Sequence, residues 1–211
     1  MGDMLMLATE WWIEVFRERV TQMVPVAGHT CTAELFCDAS GGDKAGMAAV
    51  LFVDGKIWYT NQAPCQRVKA MLQKRNDQQI MALELFAIVL GVCTFAHLLQ
   101  GRRVRIWCDN AGGENALRTG SARSMDHNMI VHGLWLHARR SDYALWVERV
   151  ASEENIADLP SRGAFEVLES LGAERLPPYI DSAFLRPSDW QGVTMLERGP
   201  QLSLSGNVVP C

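Results

Sequence analysis

The sequence lacks any C-x-x-C pair. Its six cysteines, Cys31, Cys37, Cys65, Cys93, Cys108 and Cys211, are scattered along the chain. Structural zinc sites and disulfide frameworks need closer, patterned cysteines, so neither is expected. Several of the six sit inside apolar runs, where cysteine is usually a small buried hydrophobe. A reduced, intracellular protein is the expectation. Basic residues are also in short supply: 20 Lys+Arg stand against 24 Asp+Glu, for a formal net charge of -4. That excludes a highly basic nucleic-acid coat, which neutralises phosphates with surplus Lys and Arg, but leaves room for a local basic groove. The start, MLMLATEWWIEVF, has no basic n-region and carries Glu10 and Glu14, so no secretory signal is expected. Long apolar runs are missing too. A bilayer-spanning helix takes roughly 20 apolar residues. The nearest approach, Met81 to Leu99, is interrupted by Glu84 and His97 and reads as a buried core helix. There is no internal repeat and no low-complexity tract.

What is present is enough for one folded domain with extensions. The 211 residues are 48% hydrophobic and include seven tryptophans, which argues against disorder. Residues 5–23 carry Trp12, Val15, Phe16 and Val20 at helical spacing, ended by Pro25 and Gly28. Residues 33–37 read as a strand running into Asp38, followed by the turn-rich Ser40-Gly41-Gly42-Asp43. Residues 46–53 and 56–60 are β-rich and joined by Asp54-Gly55, a strong two-residue hairpin signal. Residues 62–76 are polar, and Asn76 or Asp77 is a candidate cap for the long apolar helix that Gly101 ends. Residues 103–108 form a fourth strand running into Asp109, and 143–150 a fifth. Helices are expected over 127–140 and 165–171, a short one before Pro160, and little regular structure from Leu176 onward. Three strands in a row followed by alternation (β-β-β-α-β-α-β-α) predict an α/β protein, a mixed five-stranded sheet flanked by helices.

Three acids stand where folding alone would not place them. Asp38 and Asp109 each end an apolar strand, and both follow a cysteine. Glu84 lies in the first turns of the most apolar helix. Burying an unpaired carboxylate costs several kcal/mol or forces protonation. Such costs, repeated in one domain, suggest that the acids converge on a cation. An oxygen-only donor set favours a hard ion such as Mg²⁺. A fourth acid, Asp158, follows the last strand. Four carboxylates suit two Mg²⁺ ions about 3.5–4 Å apart, the arrangement of two-metal phosphoryl displacement.

These residues resemble the ribonuclease H domain of reverse-transcribing elements. The resemblance covers residues 33–163. It rests on Phe36-Cys37-Asp38-Ala39-Ser40, Ala82-Leu83-Glu84-Leu85-Phe86-Ala87, Trp107-Cys108-Asp109-Asn110 and Asn155-Ile156-Ala157-Asp158-Leu159-Pro160-Ser161-Arg162. The last segment looks most like the pararetrovirus and tyrosine-recombinase retrotransposon branch. The resemblance implies a ribonuclease H-like fold and a Mg²⁺-dependent enzyme, with Mn²⁺ as a substitute, that cuts the RNA strand of an RNA/DNA hybrid. It implies Asp38, Glu84, Asp109 and Asp158 as catalytic residues and metal ligands. It implies an N-terminal connection over residues 1–30, the catalytic domain over 31–163 and an extension over 164–211. A reverse transcriptase polymerase domain is the implied partner, and no membrane is involved.

Substrate contacts are expected from Ala39, Ser40 and Asn110, placed to meet a 2′-hydroxyl, and from Arg123, Asn155 and Arg162. Arg67, Lys69, Lys74, Arg75, Arg118 and Arg123 are placed to track phosphates. Two bound Mg²⁺ would carry four positive charges, offsetting the formal -4 of the chain. Two departures stand out. Residues 148–154 hold no histidine of the kind many cellular ribonucleases H carry, leaving slow turnover or Glu153 or Glu154 in its place. No polymerase motif accompanies the domain. Competing readings are a 3′-5′ exonuclease, which wants D-x-E where Asp38-Ala39-Ser40 stands, a transposase or integrase, and an inactive or domesticated nucleic-acid-binding module.

Overall fold

The computed structural model describes residues 31–42, 45–74, 76 and 79–185, with Met6, Thr9, Trp12 and Ile13 near the start. Of the expected helix over 5–23 only those four residues are described, and they are helical; the rest of it, the cap at Asp77, the basic Arg75 and everything past 185 lie outside the described residues. Among those described, no helix is long and apolar enough to cross a membrane.

Strands β1 (Ala33–Ser40), β2 (Gly46–Val53) and β3 (Lys56–Gln62) form an antiparallel meander. The β2–β3 turn takes positive φ at both central residues, 51° at Asp54 and 74° at Gly55, as a two-residue hairpin requires. Arg102 pins this turn with two hydrogen bonds of 2.9 and 2.6 Å to the Asp54 carboxylate. Helix α1 (Gln66–Met71) follows in the polar stretch 62–76, where no helix was expected. Its anchors are Val68 and, just past its end, Leu72, both buried in the main core. Two apolar residues four apart suffice to seat an otherwise polar segment against the core.

Helix α2 (Ile80–Thr94) is buried along almost its whole length. It begins from Gln79, which has φ 60°, rather than from Asn76 or Asp77. A short helix α3 (Ala96–Leu99) continues it, and Gly101, at φ 72°, closes the segment. An all-round apolar helix needs neighbours on every side. Here β1 and β2 lie on one side and two later helices, α4 (Ala111–Thr119) and α5 (Met125–Arg140), on the other. Gly91 makes the approach to the sheet possible: a Cβ there would fall 2.9 Å from the Ala49 Cβ and 3.3 Å from both Leu35 methyls.

Strands β4 (Arg103–Cys108) and β5 (Ala144–Arg149) run parallel to β1, in the order β5-β4-β1-β2-β3. A sixth strand, β6 (Glu174–Arg175), pairs parallel with the outer edge of β3, so the mixed sheet has six strands where five were expected. Two residues give too short a pattern for sequence to reveal; only the neighbouring edge defines this strand.

The second face of the sheet is covered by the short helices α6 (Asp158–Ser161) and α7 (Glu166–Ser170). There Val50, Tyr59, Ala157 and Leu168 are buried, with Phe36, Phe52 and Phe165 packed around them. Residues between 164 and 185 join the core: Leu168, Ile180 and Phe184 are buried. Tyr179 is tied to the end of α2 by hydrogen bonds with the Thr94 hydroxyl, of 3.0 and 3.2 Å.

Candidate metal centre

The site forms where two parallel strands part. The β1–β4 ladder pairs Leu35 with Ile106 and ends at Phe36 with Trp107. Asp38 and Asp109 each stand two residues beyond that last pair, so the register brings them level as the strands separate. Cys37 and Cys108, one residue before the acids, are buried; burial pushes the Cys108 thiol up to about 12 and Cys37 well above its ordinary value. Both act as apolar packing, not as thiolate ligands. Glu84 enters from the second turn of α2.

Asp38, Glu84 and Asp109 each present a carboxylate oxygen, and these oxygens lie within 4.8 Å of one another. Asp38 is 4% exposed and Glu84 5%. Asp38 Oδ2, Glu84 Oε2 and Asp109 Oδ1 are buried without a hydrogen-bond partner. Burial, then repulsion from Asp38 and Asp109, pushes Glu84 up to about 9, against a hydrogen bond from the Ala39 backbone. Burial also lifts Asp38 to about 6; a Ser161 hydrogen bond opposes this, and Asp109 and Asp158 add to it. Buried acceptors are rarely left unpaired. Three acceptors of like charge orphaned in one place fit a hard divalent cation, which would hold all three ionised.

Asp158 is not part of this trio. It lies near enough to raise Asp38 and Glu84 electrostatically, but Arg162 holds its Oδ1 with Nε and Nη2, each at 2.8 Å. Other expected site residues are engaged within the protein. The Ser40 hydroxyl donates to the Ser161 carbonyl at 2.8 Å and accepts from the Gly46 amide at 3.0 Å. Asn155 is buried; its amide donates to the Cys37 carbonyl at 3.0 Å and accepts from the Ala157 backbone. Asn155 thereby fastens the last loop to β1, next to Asp38. Asn110 caps α4 by accepting from the Gly113 amide at 3.0 Å. Arg67, Lys69, Lys74 and Arg123 are exposed, and Arg118 pairs with Glu114 at 2.9 Å. Glu153 and Glu154 are exposed.

Two contributors escaped the sequence reading. Ser161, inside the Asn155–Arg162 segment, is a hydrogen-bond partner of Asp38 and supplies the carbonyl that receives Ser40. Gly46 is the other. A Cβ on it would sit 2.1 Å from that same carbonyl oxygen, well inside contact distance. The Gly46→Ala substitution should therefore push α6 away from the start of β2 and cost about 1–3 kcal/mol, the usual range for overpacking a rigid site. Urea denaturation checks this; an unchanged midpoint would show that α6 gives way freely. The only signal for Gly46 in the sequence was a glycine at a strand start, which has many readings.

No family model matches the chain, and no curated protein matches it. Among solved structures, it is similar to a protein described as "Crystal structure of RNase H1 from halophilic archaeon Halobacterium salinarum NRC-1". The identity is 15% and the TM-score 0.44, over 65% of this chain and 98% of the other.

Proposed function

We propose that this protein is a divalent-metal-dependent nuclease that hydrolyses the RNA strand of RNA/DNA hybrids. The observation that carries this reading is the trio Asp38, Glu84 and Asp109: each presents a carboxylate oxygen within 4.8 Å of the others, and each has one buried oxygen without a hydrogen-bond partner. A folding role does not account for that arrangement, because each carboxylate raises the cost of the others. Bound there, Mg²⁺ would activate a water and stabilise a leaving oxygen in phosphoryl transfer. Mn²⁺ is the proposed substitute. The four segments quoted from the sequence support hybrid RNA as substrate and descent from a retroelement reverse transcriptase, with its polymerase domain as a partner.

The protein's own groups would hold and orient the acids. The Ala39 backbone and Ser161 fix Glu84 and Asp38, and Asn155 and Ser40 keep the last loop against β1. Asp158 is proposed as the fourth ligand. Backbone groups around Ala39 and Ser40, with Asn110, are proposed to meet the 2′-hydroxyl that separates RNA from DNA. Exposed Arg67, Lys69, Lys74 and Arg123 are proposed to follow phosphates.

Labelled RNA/DNA hybrid, single-stranded RNA and duplex DNA, each with Mg²⁺ or EDTA, test the proposal. The expected result is Mg²⁺-dependent cutting of hybrid RNA alone. Cutting of duplex DNA with hybrid RNA left intact would overturn it.

A further inference from the structure

The geometry points to Arg162 as a positioning residue that holds Asp158 away from the metal centre and releases it to complete the site. This rests on the reading of Asp38, Glu84 and Asp109 as metal ligands. Asp158 and Arg162 stand four residues apart on one helical turn, and the guanidinium forks onto a single carboxylate oxygen through two 2.8 Å contacts. An oxygen accepting two charge-assisted hydrogen bonds is a poor donor to a second cation. The ion pair and metal ligation therefore compete for the same carboxylate.

The backbone around the pair is fixed. Pro160 and Ser161 are buried, the Ser161 carbonyl receives the Ser40 hydroxyl at 2.8 Å, and Gly46 lies directly against it. Asn155, at the head of the turn, is bound to the Cys37 carbonyl. Asp158 can therefore change partner only by turning its side chain. The side chains themselves are free to do so: Arg162 is 65% exposed and Asp158 34%. An exposed pair of this spacing is weak, so it sets which partner Asp158 prefers without locking it. Ligands with phosphates offer the guanidinium a better, bidentate partner. A phosphodiester backbone arriving at the site would draw Arg162 off Asp158, so that the fourth carboxylate becomes available only when substrate is in place. Arg162 would act through Asp158, not on the reacting atoms.

Mn²⁺ titration of the free protein, followed by electron paramagnetic resonance, tests this without any cleavage assay. Wild type is compared with Arg162→Gln, Arg162→Lys, Asp158→Asn, the double variant Asp158→Asn/Arg162→Gln, and Asp38→Asn. The expected result for Arg162→Gln is Mn²⁺ binding at the weaker class of site tightened by about three- to fivefold, the scale of one exposed ion pair. Arg162→Lys, which keeps the charge but not the fork, should lie between it and wild type. The double variant should bind like Asp158→Asn alone. Wild-type binding with no tightening in Arg162→Gln would overturn the latch and leave the metal centre standing. A wild type that binds no Mn²⁺, or an Asp38→Asn that binds like wild type, would overturn the metal reading and the latch with it.

Discussion

Without divalent metal, the protein is expected to lose stability steadily as pH rises from about 4 to about 9. Glu84 goes from 4.5 in the open chain to about 9 in the fold, and Asp38 from 3.8 to about 6. Between those limits the folded protein keeps protons that the unfolded chain has released. Raising pH therefore favours unfolding. The stabilisation is fully present below about 4. It is lost through about 6 for Asp38 and towards 9 for Glu84. Glu84 dominates, because burial and repulsion from Asp38 and Asp109 raise it further, whereas a Ser161 hydrogen bond and Arg162 hold Asp38 down. Its share amounts to several kcal/mol, against a total stability of roughly 5–15 kcal/mol for a domain. At roughly 2–4 °C per kcal/mol for a chain of this size, the fall in Tm is on the order of 10 °C.

Thermal denaturation in EDTA across pH 5–9 measures it. Glu84→Gln, which cannot ionise, should flatten most of the slope and raise Tm at pH 8. Added Mg²⁺ should oppose the loss in wild type, by about 2.7 kcal/mol at a hundredfold excess over its Kd. A flat Tm from pH 5 to 9 in EDTA would show that Glu84 does not lie in the environment described here.

Asp109→Asn should abolish cleavage while leaving the fold intact. The amide keeps the size of the side chain but removes one of three charges expected to hold the metal. Metal-assisted charge stabilisation is worth several kcal/mol in the transition state, so a loss on the order of a thousandfold or more in kcat is expected. The same change removes a like charge from beside Glu84 and Asp38, both of which Asp109 raises. Metal-free Tm should therefore stay level or rise. Activity and stability moving in opposite directions separates a site residue from a structural one. An Asp109→Asn protein that still cuts hybrid would remove Asp109 from the centre. One that is inactive because it has unfolded would show that the residue supports the fold.

Much of this was legible in the sequence because the signals were local. The Asp54-Gly55 hairpin follows from two residues that tolerate positive φ. The apolar run of α2 required burial whatever surrounded it. Asp38, Asp109 and Glu84 stood out because each contradicts its setting, and such a contradiction can be read without coordinates. Other features had no local signal. The two residues of β6 form a strand only because β3 offers an edge. Helix α1 holds its shape through Val68 and Leu72 meeting the core. The side-chain partners of Ser40 and Asn155, the Ser161 and Cys37 carbonyls, are 121 and 118 residues away in sequence.

By itself the sequence determined which acids were out of place, that the long apolar helix had to be buried, and that three strands would open a mixed sheet. Charge, period and turn chemistry are properties of a few adjacent residues, so they survive without the fold. The tertiary structure decided which acids meet. The β1–β4 register sets Asp38 level with Asp109, and the close seat of α2 on the sheet delivers Glu84 between them. The short turn at 158–162 gives Asp158 to Arg162 instead. Distances of a few ångströms between residues 25–71 positions apart depend on packing and register, and no stretch of sequence carries them.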